Sequence, residues 1–183
     1  MIRPRPRRGR KAPPLIFLFL LIAGLLAIGY VDQHLREIRA SDGTRVVVRD
    51  GDSLAFGGKE FRLAGIDAPE LHQTCEDAAG KPWRCGEAAR KALRELVAQG
   101  ELSCSPRAND RYGRAVATCR VKDVGDIGEV LVRQGLAINF AGRGEGDYAA
   151  PESAARLARR GLWQGRFIDP AEWRRQHPRP DAF

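Results

Sequence analysis

The chain has 183 residues, enough for one domain with a sizeable core plus an extension, and short for two full domains. Its formal charge is +8, but Arg3, Arg5, Arg7, Arg8, Arg10 and Lys11 precede residue 12, which leaves 25 basic against 23 acidic residues in the rest. The high isoelectric point therefore belongs to the N-terminus and excludes itself as evidence for a nucleic-acid partner, which only local charge placement can supply.

Residues 12–31 carry no charge and centre on LIFLFLLIAGLLAIGYV, which matches the ~20 apolar residues that cross a bilayer. The basic segment 1–11 before it predicts a cytoplasmic N-terminus, with everything after the segment exported. A cleavable signal peptide is the alternative, since Ala27 and Gly29 have the small-residue spacing of a cleavage site. The expected place of work is thus extracytoplasmic, on a single-pass anchor or secreted. Residues 32–44 are polar and unpatterned and read as a linker, 45–168 as the folded domain, and 169–183 as a polar C-terminal tail.

Within the domain, RVVVRDGDSLAF and KEFRLAGI are rich in β-branched and aromatic residues and flank Gly57-Gly58, which predicts a tight hairpin. If the glycines are the turn, Ser53 faces Arg62 and Asp52 faces Leu63. Residues 86–100 place Ala89, Leu93, Leu96 and Val97 at helical spacing and end on a glycine. ELSCSP and RAVATCRV form another strand pair around NDRYGR. Further helices are expected over 126–134, from the recurrence of Ile127, Val130 and Leu131, and over 152–160. Strands, a helix, strands and two helices is an α+β order, compatible with a small barrel carrying helices outside it.

Four cysteines, Cys75, Cys85, Cys104 and Cys119, all follow the apolar segment, and an even number in an oxidising compartment favours disulfides over zinc or free thiols. Cys104 and Cys119 are symmetric about NDRYGR, which would leave Cys75 to close a local loop with Cys85; four cysteines allow three pairings.

The chemistry concentrates in FRLAGIDAPE and the DGD before it. Cross-strand pairing brings Asp52 near Arg62, a bulge at Gly65 would turn Asp67 to the same side, and Pro69 would turn Glu70 back. Three carboxylates at close range repel unless a cation joins them or one takes up a proton, and oxygen-only donors favour a hard ion such as Ca²⁺. Arg62 is superfluous in a plain cation site, but its fork suits a phosphate. Arg114, in DRYGR, offers a second guanidinium, and Glu70 is available to take a proton from water. Each piece also has a plain reading: a solvated strand end, an edge charge, an ordinary hairpin loop. His72 reads as an exposed loop residue, Trp83, Trp163 and Trp173 as packing groups, and Arg156, Arg159 and Arg160 as a solvated stripe.

VVRDGDSLAFGGKEFRLAGIDAPE, DRYGR and GEVLVRQGLA, in that order, resemble the staphylococcal nuclease (thermonuclease) family, from about Val46 to Trp163, and RGLWQGRFIDPAEWRR resembles the tail of its bacterial members. The resemblance implies an OB-fold five-stranded β-barrel with three helices and a Ca²⁺-dependent phosphodiesterase that cuts DNA or RNA to 3′-phosphate ends. It implies that Asp52, Asp67 and the Ala68 carbonyl hold calcium, that Glu70 is the general base, that Arg62 and Arg114 stabilise the charged phosphorane, and that Arg111 and Tyr112 contact a terminal phosphate. Ser53 stands where the family has threonine. Ala141 stands where it has a base-stacking tyrosine, with Phe140 one position before and Tyr148 further on. A non-catalytic, membrane-tethered binding module is the competing expectation, set against the retention of all five charged side chains. No protein partner is implied.

Overall fold

The computed structural model describes residues 18–19, 21–25, 38–39, 43–140 and 148–178. The chain divides into two compact units, Met1–Arg36 and Glu37–Phe183. In the first, residues 18–19 and 21–25 are helical, and most of the expected membrane segment 12–31 lies outside the described residues. Among the described residues, no helix is long and apolar enough to cross a membrane.

The second unit is built on a mixed sheet, and the expected α+β class is what it shows. Strands β1 (Ile38–Arg39), β2 (Arg45–Val48), β3 (Ser53–Phe56) and β4 (Lys59–Leu63) form an antiparallel meander. The β3–β4 turn is Gly57-Gly58, with φ of 57° and 74°, the left-handed pair that a two-residue hairpin requires. The register is the expected one, Phe56↔Lys59 through Ser53↔Arg62, and the Leu63 N–H donates to the Asp52 carbonyl at 2.8 Å. β1 pairs with β2, so the segment read as a linker already contributes a strand.

After β4 the chain does not bulge and continue; it turns at Ala64-Gly65, with Gly65 at φ 72°, and enters a separate two-stranded sheet. There β5 (Ile66–Asp67) pairs with β11 (Ile138–Asn139). The turn does what the bulge was expected to do, since it frees Asp67 from the alternation of β4. A small hairpin, β6 (Cys75–Glu76) with β7 (Pro82–Trp83), leads into helix α1 (Cys85–Val97), which ends before Gly100. The long pair β8 (Leu102–Asn109) and β9 (Ala115–Val121) follows, with Pro106 on the edge strand β8 where its missing N–H is tolerated. β9 runs parallel to β4 and is also met by β10 (Gly125–Asp126).

Helix α2 (Ile127–Arg133) is capped by Asp126, whose carboxylate accepts from the Gly128 and Glu129 N–H groups. Helix α3 (Ala149–Leu157) begins and ends three residues before its expected limits. Pro151 falls in its first turn, where a missing N–H costs nothing, and Arg159 with φ 49° breaks it off. A short 3₁₀ turn at Gly161–Gln164 precedes a fourth helix, α4 (Pro170–Gln176), inside the stretch read as a polar tail. The core gathers Leu54, Phe61, Leu63, Leu93, Val97, Leu102, Ile127 and Leu131 between sheet and helices.

Both expected disulfides are present, Cys75–Cys85 and Cys104–Cys119. The first forms a second small core with Leu162, against which Trp83 and Phe167 pack.

Candidate active site

Asp52 ends the DGD turn at the base of β3 and is buried. Ser53 Oγ donates to its Oδ1 at 2.8 Å, and the Ala68 N–H donates to its Oδ2 at 3.3 Å. Opposite, Arg62 on β4 places one nitrogen, Nη2, 2.8 Å from Asp52 Oδ2 and 2.8 Å from Asp67 Oδ1. Asp67 is only 1 % exposed, at the end of β5. One guanidinium nitrogen thus joins the two aspartates that the hairpin and the Gly65 turn bring together.

The Asp52 carboxyl is pushed up to about 7. Burial is the main cause, with the charges of Asp50 and Asp67 adding to it, against the opposing pull of Arg62 and the Ser53 hydroxyl. Burial lowers the Arg62 guanidinium, but Asp52 and Asp67 more than restore it. Burial, more than any neighbouring charge, thus disfavours the ionised form of Asp52.

Glu70 joins this group through a residue that sequence reasoning missed. Arg174, on α4, donates from Nη1 to Asp67 Oδ1 and to Glu70 Oε1, each at 3.0 Å, and from Nη2 to Asp67 Oδ2 at 2.8 Å. Its charged form is held by the Asp67 hydrogen bonds first and by Glu70 further, against the cost of burial. A helix start was readable in DPAE: Asp169 caps it by accepting from the Ala171 and Glu172 N–H groups, with Pro170 in the first turn. Nothing local indicates that the helix returns 107 residues to Asp67. Fully buried Gln73, also missed, accepts from the Glu70 N–H through Oε1 at 3.2 Å and donates from Nε2 to the Ile168 carbonyl at 2.7 Å. It couples the backbone of Glu70 to the root of α4.

Arg114 is held elsewhere. Its Nε donates to Asp110 Oδ2 at 2.7 Å, inside the loop between β8 and β9. Burial alone would raise Asp110, but the Arg114 side chain and the backbone N–H groups of Arg114 and Tyr112 hold it below the usual carboxylate range. Arg114 directly precedes β9, whose first residue, Ala115, pairs with Phe61 next to Arg62 on β4. Tyr112 is 69 % exposed, with Arg111 and Arg114 over its ring at 4.9 and 5.6 Å. Among the described residues no group of three or more His, Cys, Asp or Glu side chains is arranged to hold a metal ion. In place of a carboxylate trio, guanidinium groups stand between Asp52 and Asp67 and between Asp67 and Glu70.

The remaining aromatic and basic groups sort simply. Ala141 lies outside the described residues. Tyr148 is buried and donates its hydroxyl to Asp126 Oδ2 at 3.0 Å, a packing role; burial and then the Asp126 charge push its hydroxyl pKa up. Phe140 is 52 % exposed and its N–H donates to the Gly65 carbonyl, beside the turn that delivers Asp67. His72 is exposed, Trp83 packs on the first disulfide, Trp163 meets Phe167 edge-on and Trp173 stacks on His177. Arg156 belongs less to a solvated stripe than expected: it lies 3.8 Å over the Trp163 ring and pairs with Glu152.

The family model described as staphylococcal nuclease homologue matches residues 60–165. Among curated relatives, the succinoglycan biosynthesis protein ExoI of Rhizobium meliloti is 35 % identical over 118 residues, covering 64 % of this chain and 62 % of that protein. The probable endonuclease LCL3 of Candida glabrata is 32 % identical over 127 residues, 63 % of this chain and 48 % of that protein. An uncharacterized endonuclease of Haemophilus influenzae is 31 % identical over 153 residues, 79 % of this chain and 80 % of that protein. The chain thus spans less than two thirds of the first two relatives and most of the third. The match covers the strands and turns that carry Arg62, Asp67, Glu70 and Arg114, and on these grounds the chain belongs to the staphylococcal nuclease homologue family.

Proposed function

We propose that the protein is a Ca²⁺-dependent endonuclease that hydrolyses phosphodiester bonds of DNA or RNA. The observation that carries the reading is the single Arg62 nitrogen shared by Asp52 and Asp67: a guanidinium and two buried carboxylates in contact, the donor types that bind a phosphate and a hard cation. The names of the Candida and Haemophilus relatives support the same class. The strand order β2-β3-β4-β9-β8 supports an OB-type barrel beneath the site.

The donor set fits calcium. Asp52 and Asp67 offer oxygen only, and both are buried side by side at the Arg62 nitrogen. Asp52, Asp67 and the Ala68 carbonyl would hold the ion, which supplies Lewis-acid stabilisation of charge on the phosphate oxygens. Glu70 takes the proton of the attacking water as the new P–O bond forms and the bond to the 5′ oxygen breaks; the leaving oxygen takes a proton from solvent, giving a 5′-hydroxyl and a 3′-phosphate. Arg62, on β4, and Arg114, just before the neighbouring β9, bind the phosphate and offset the charge that grows on it in the transition state. Arg111 and Tyr112 contact a terminal phosphate. The domain works outside the cytoplasm, held by the 12–31 segment or released from it; the two disulfides support an oxidising compartment.

Incubating the full-length chain in detergent with single-stranded DNA, with calcium or with chelator, tests the proposal. Internal cleavage that needs calcium supports it. DNA binding without cleavage would favour the non-catalytic module instead.

A further inference from the structure

Arg174 is a cation at the site that the proposed chemistry does not use. Its two terminal nitrogens are spread over both oxygens of Asp67 and one of Glu70, and Arg62 shares Asp67 Oδ1. Arg174 commits both terminal nitrogens to carboxylates, where Arg62 commits Nη2, so its fork is not presented to a phosphate. A divalent ion and this guanidinium instead draw on the same carboxylate oxygens.

The way α4 is held points to a part that can leave. Its one buried residue is Pro170, whereas α1 buries Cys85, Gly86, Ala89, Leu93, Leu96 and Val97. Trp173 stacks on His177 four residues on, with ring centroids 3.8 Å apart, and Glu172 pairs with Arg175 and Gln176. Little apolar area therefore docks the helix, and the Arg174 side chain is 37 % exposed, so its ion pairs are partly screened. The chain just before α4 is clamped: Ile168 by buried Gln73, the Arg166 carbonyl by the Glu76 N–H at 2.8 Å, and Phe167 against the Cys75–Cys85 cluster. A firm root followed by a lightly seated helix leaves Asp169 as the joint.

We propose that α4 is a latch and Arg174 a built-in competitor for the metal: it satisfies Asp67 and Glu70 in the resting protein and must withdraw before calcium binds and Glu70 can serve as base. The proposal rests on the calcium reading above. The latch keeps the buried carboxylates paired in calcium-poor surroundings and couples metal binding to an opening of the tail.

Calorimetric titration of Ca²⁺ into the full-length chain in detergent, as wild type, R174A and R174K, tests it. Calcium is expected to bind R174A at least ten times more tightly than wild type, with R174K between, since a single ammonium cannot span the oxygens that the fork spans. Hydrogen exchange of wild-type amides 171–176 is expected to accelerate on calcium saturation while those of α1 do not; this measurement decides the matter even if a variant fails to fold. Equal calcium affinity in wild type and R174A, or exchange in α4 indifferent to calcium, would overturn the latch and leave the calcium site standing. No calcium binding by any of the folded proteins would remove the calcium reading and the latch with it.

Discussion

Replacing Gly86 with alanine tests whether tight packing beneath Glu70 sets its position. A Cβ at residue 86 would stand 1.8 Å from the Glu70 carbonyl oxygen and 2.7 Å from its carbon, and real Cβ contacts essentially never fall below 3.0 Å. The two segments must therefore part by at least 1.2 Å, the difference between 3.0 and 1.8 Å. Neither side gives way easily. Cys85 is bonded to Cys75, the Gly86 N–H donates to the Gln73 carbonyl at 3.2 Å, and the Glu70 carbonyl accepts from the Gln73 N–H at 2.8 Å. Overpacking costs about 1–3 kcal/mol, and from the middle of that range, about 2 kcal/mol, a better helix former in place of glycine returns up to about 1 kcal/mol, a net loss of about 1–2 kcal/mol. At 2–4 °C per kcal/mol, thermal unfolding should shift down by roughly 2–8 °C. A displacement of ~1 Å at Glu70, proposed above as the base, should slow cleavage about 100-fold. Circular dichroism melts and single-stranded DNA cleavage rates read the two effects. A Gly86→Ala protein with unchanged melting and unchanged rate would refute the claim that the first turn of α1 positions Glu70.

Glu70→Gln should slow cleavage by at least ~100-fold while the dissociation constant for single-stranded DNA stays the same, as loss of a general base requires; weaker binding at an unchanged rate would contradict the assignment. Reducing both disulfides should lower stability by roughly 2–3 kcal/mol per bridge in chemical denaturation, given loops closed over separations of 10 and 15 residues, and an unchanged midpoint would show the bridges to be idle. The Asp110 carboxyl is depressed in the folded state, so its contribution is full above the unfolded value of about 4 and is lost as pH falls through the folded value. The stability difference between wild type and Asp110→Asn should therefore be present at pH 7 and shrink toward pH 3; a difference constant with pH would rule out the ionised Asp110 as the clasp of the Arg114 loop.

Most of the sheet around the site was legible because it depends on short-range rules. Two adjacent glycines between β-branched runs dictate a two-residue turn, and the turn fixes Ser53 opposite Arg62 and hence Asp52 beside it. The symmetry of Cys104 and Cys119 about a loop dictates their pairing across two strands in the same way. The departures arise where the determinant is distant. Gly65 redirects the chain as its place in FRLAGIDAPE suggests, but the partner that makes the redirected segment a strand, β11, lies some seventy residues on. Arg174 was illegible as a site residue because α4 has no apolar stripe to announce which way it faces; its docking rests on an ion pair with Asp67 and on a backbone carbonyl held by Gln73, and neither leaves a periodic trace. Arg114 shows the converse: the sequence predicts its loop, but Asp110 in the same loop holds its guanidinium.

Asp67 is the pivot of the account, touched by both Arg62 and Arg174 and proposed as a calcium ligand. The measurement that bears on it most directly is the rate of single-stranded DNA cleavage by the full-length protein, wild type and Asp67→Asn, across a calcium titration that begins in chelator. The wild type should be silent in chelator and switch on with calcium, and Asp67→Asn should need at least ~10-fold more calcium or stay silent, because a neutral amide is a weaker ligand for a hard cation. Cleavage that persists in chelator, or an Asp67→Asn protein with the wild-type calcium response, would contradict it.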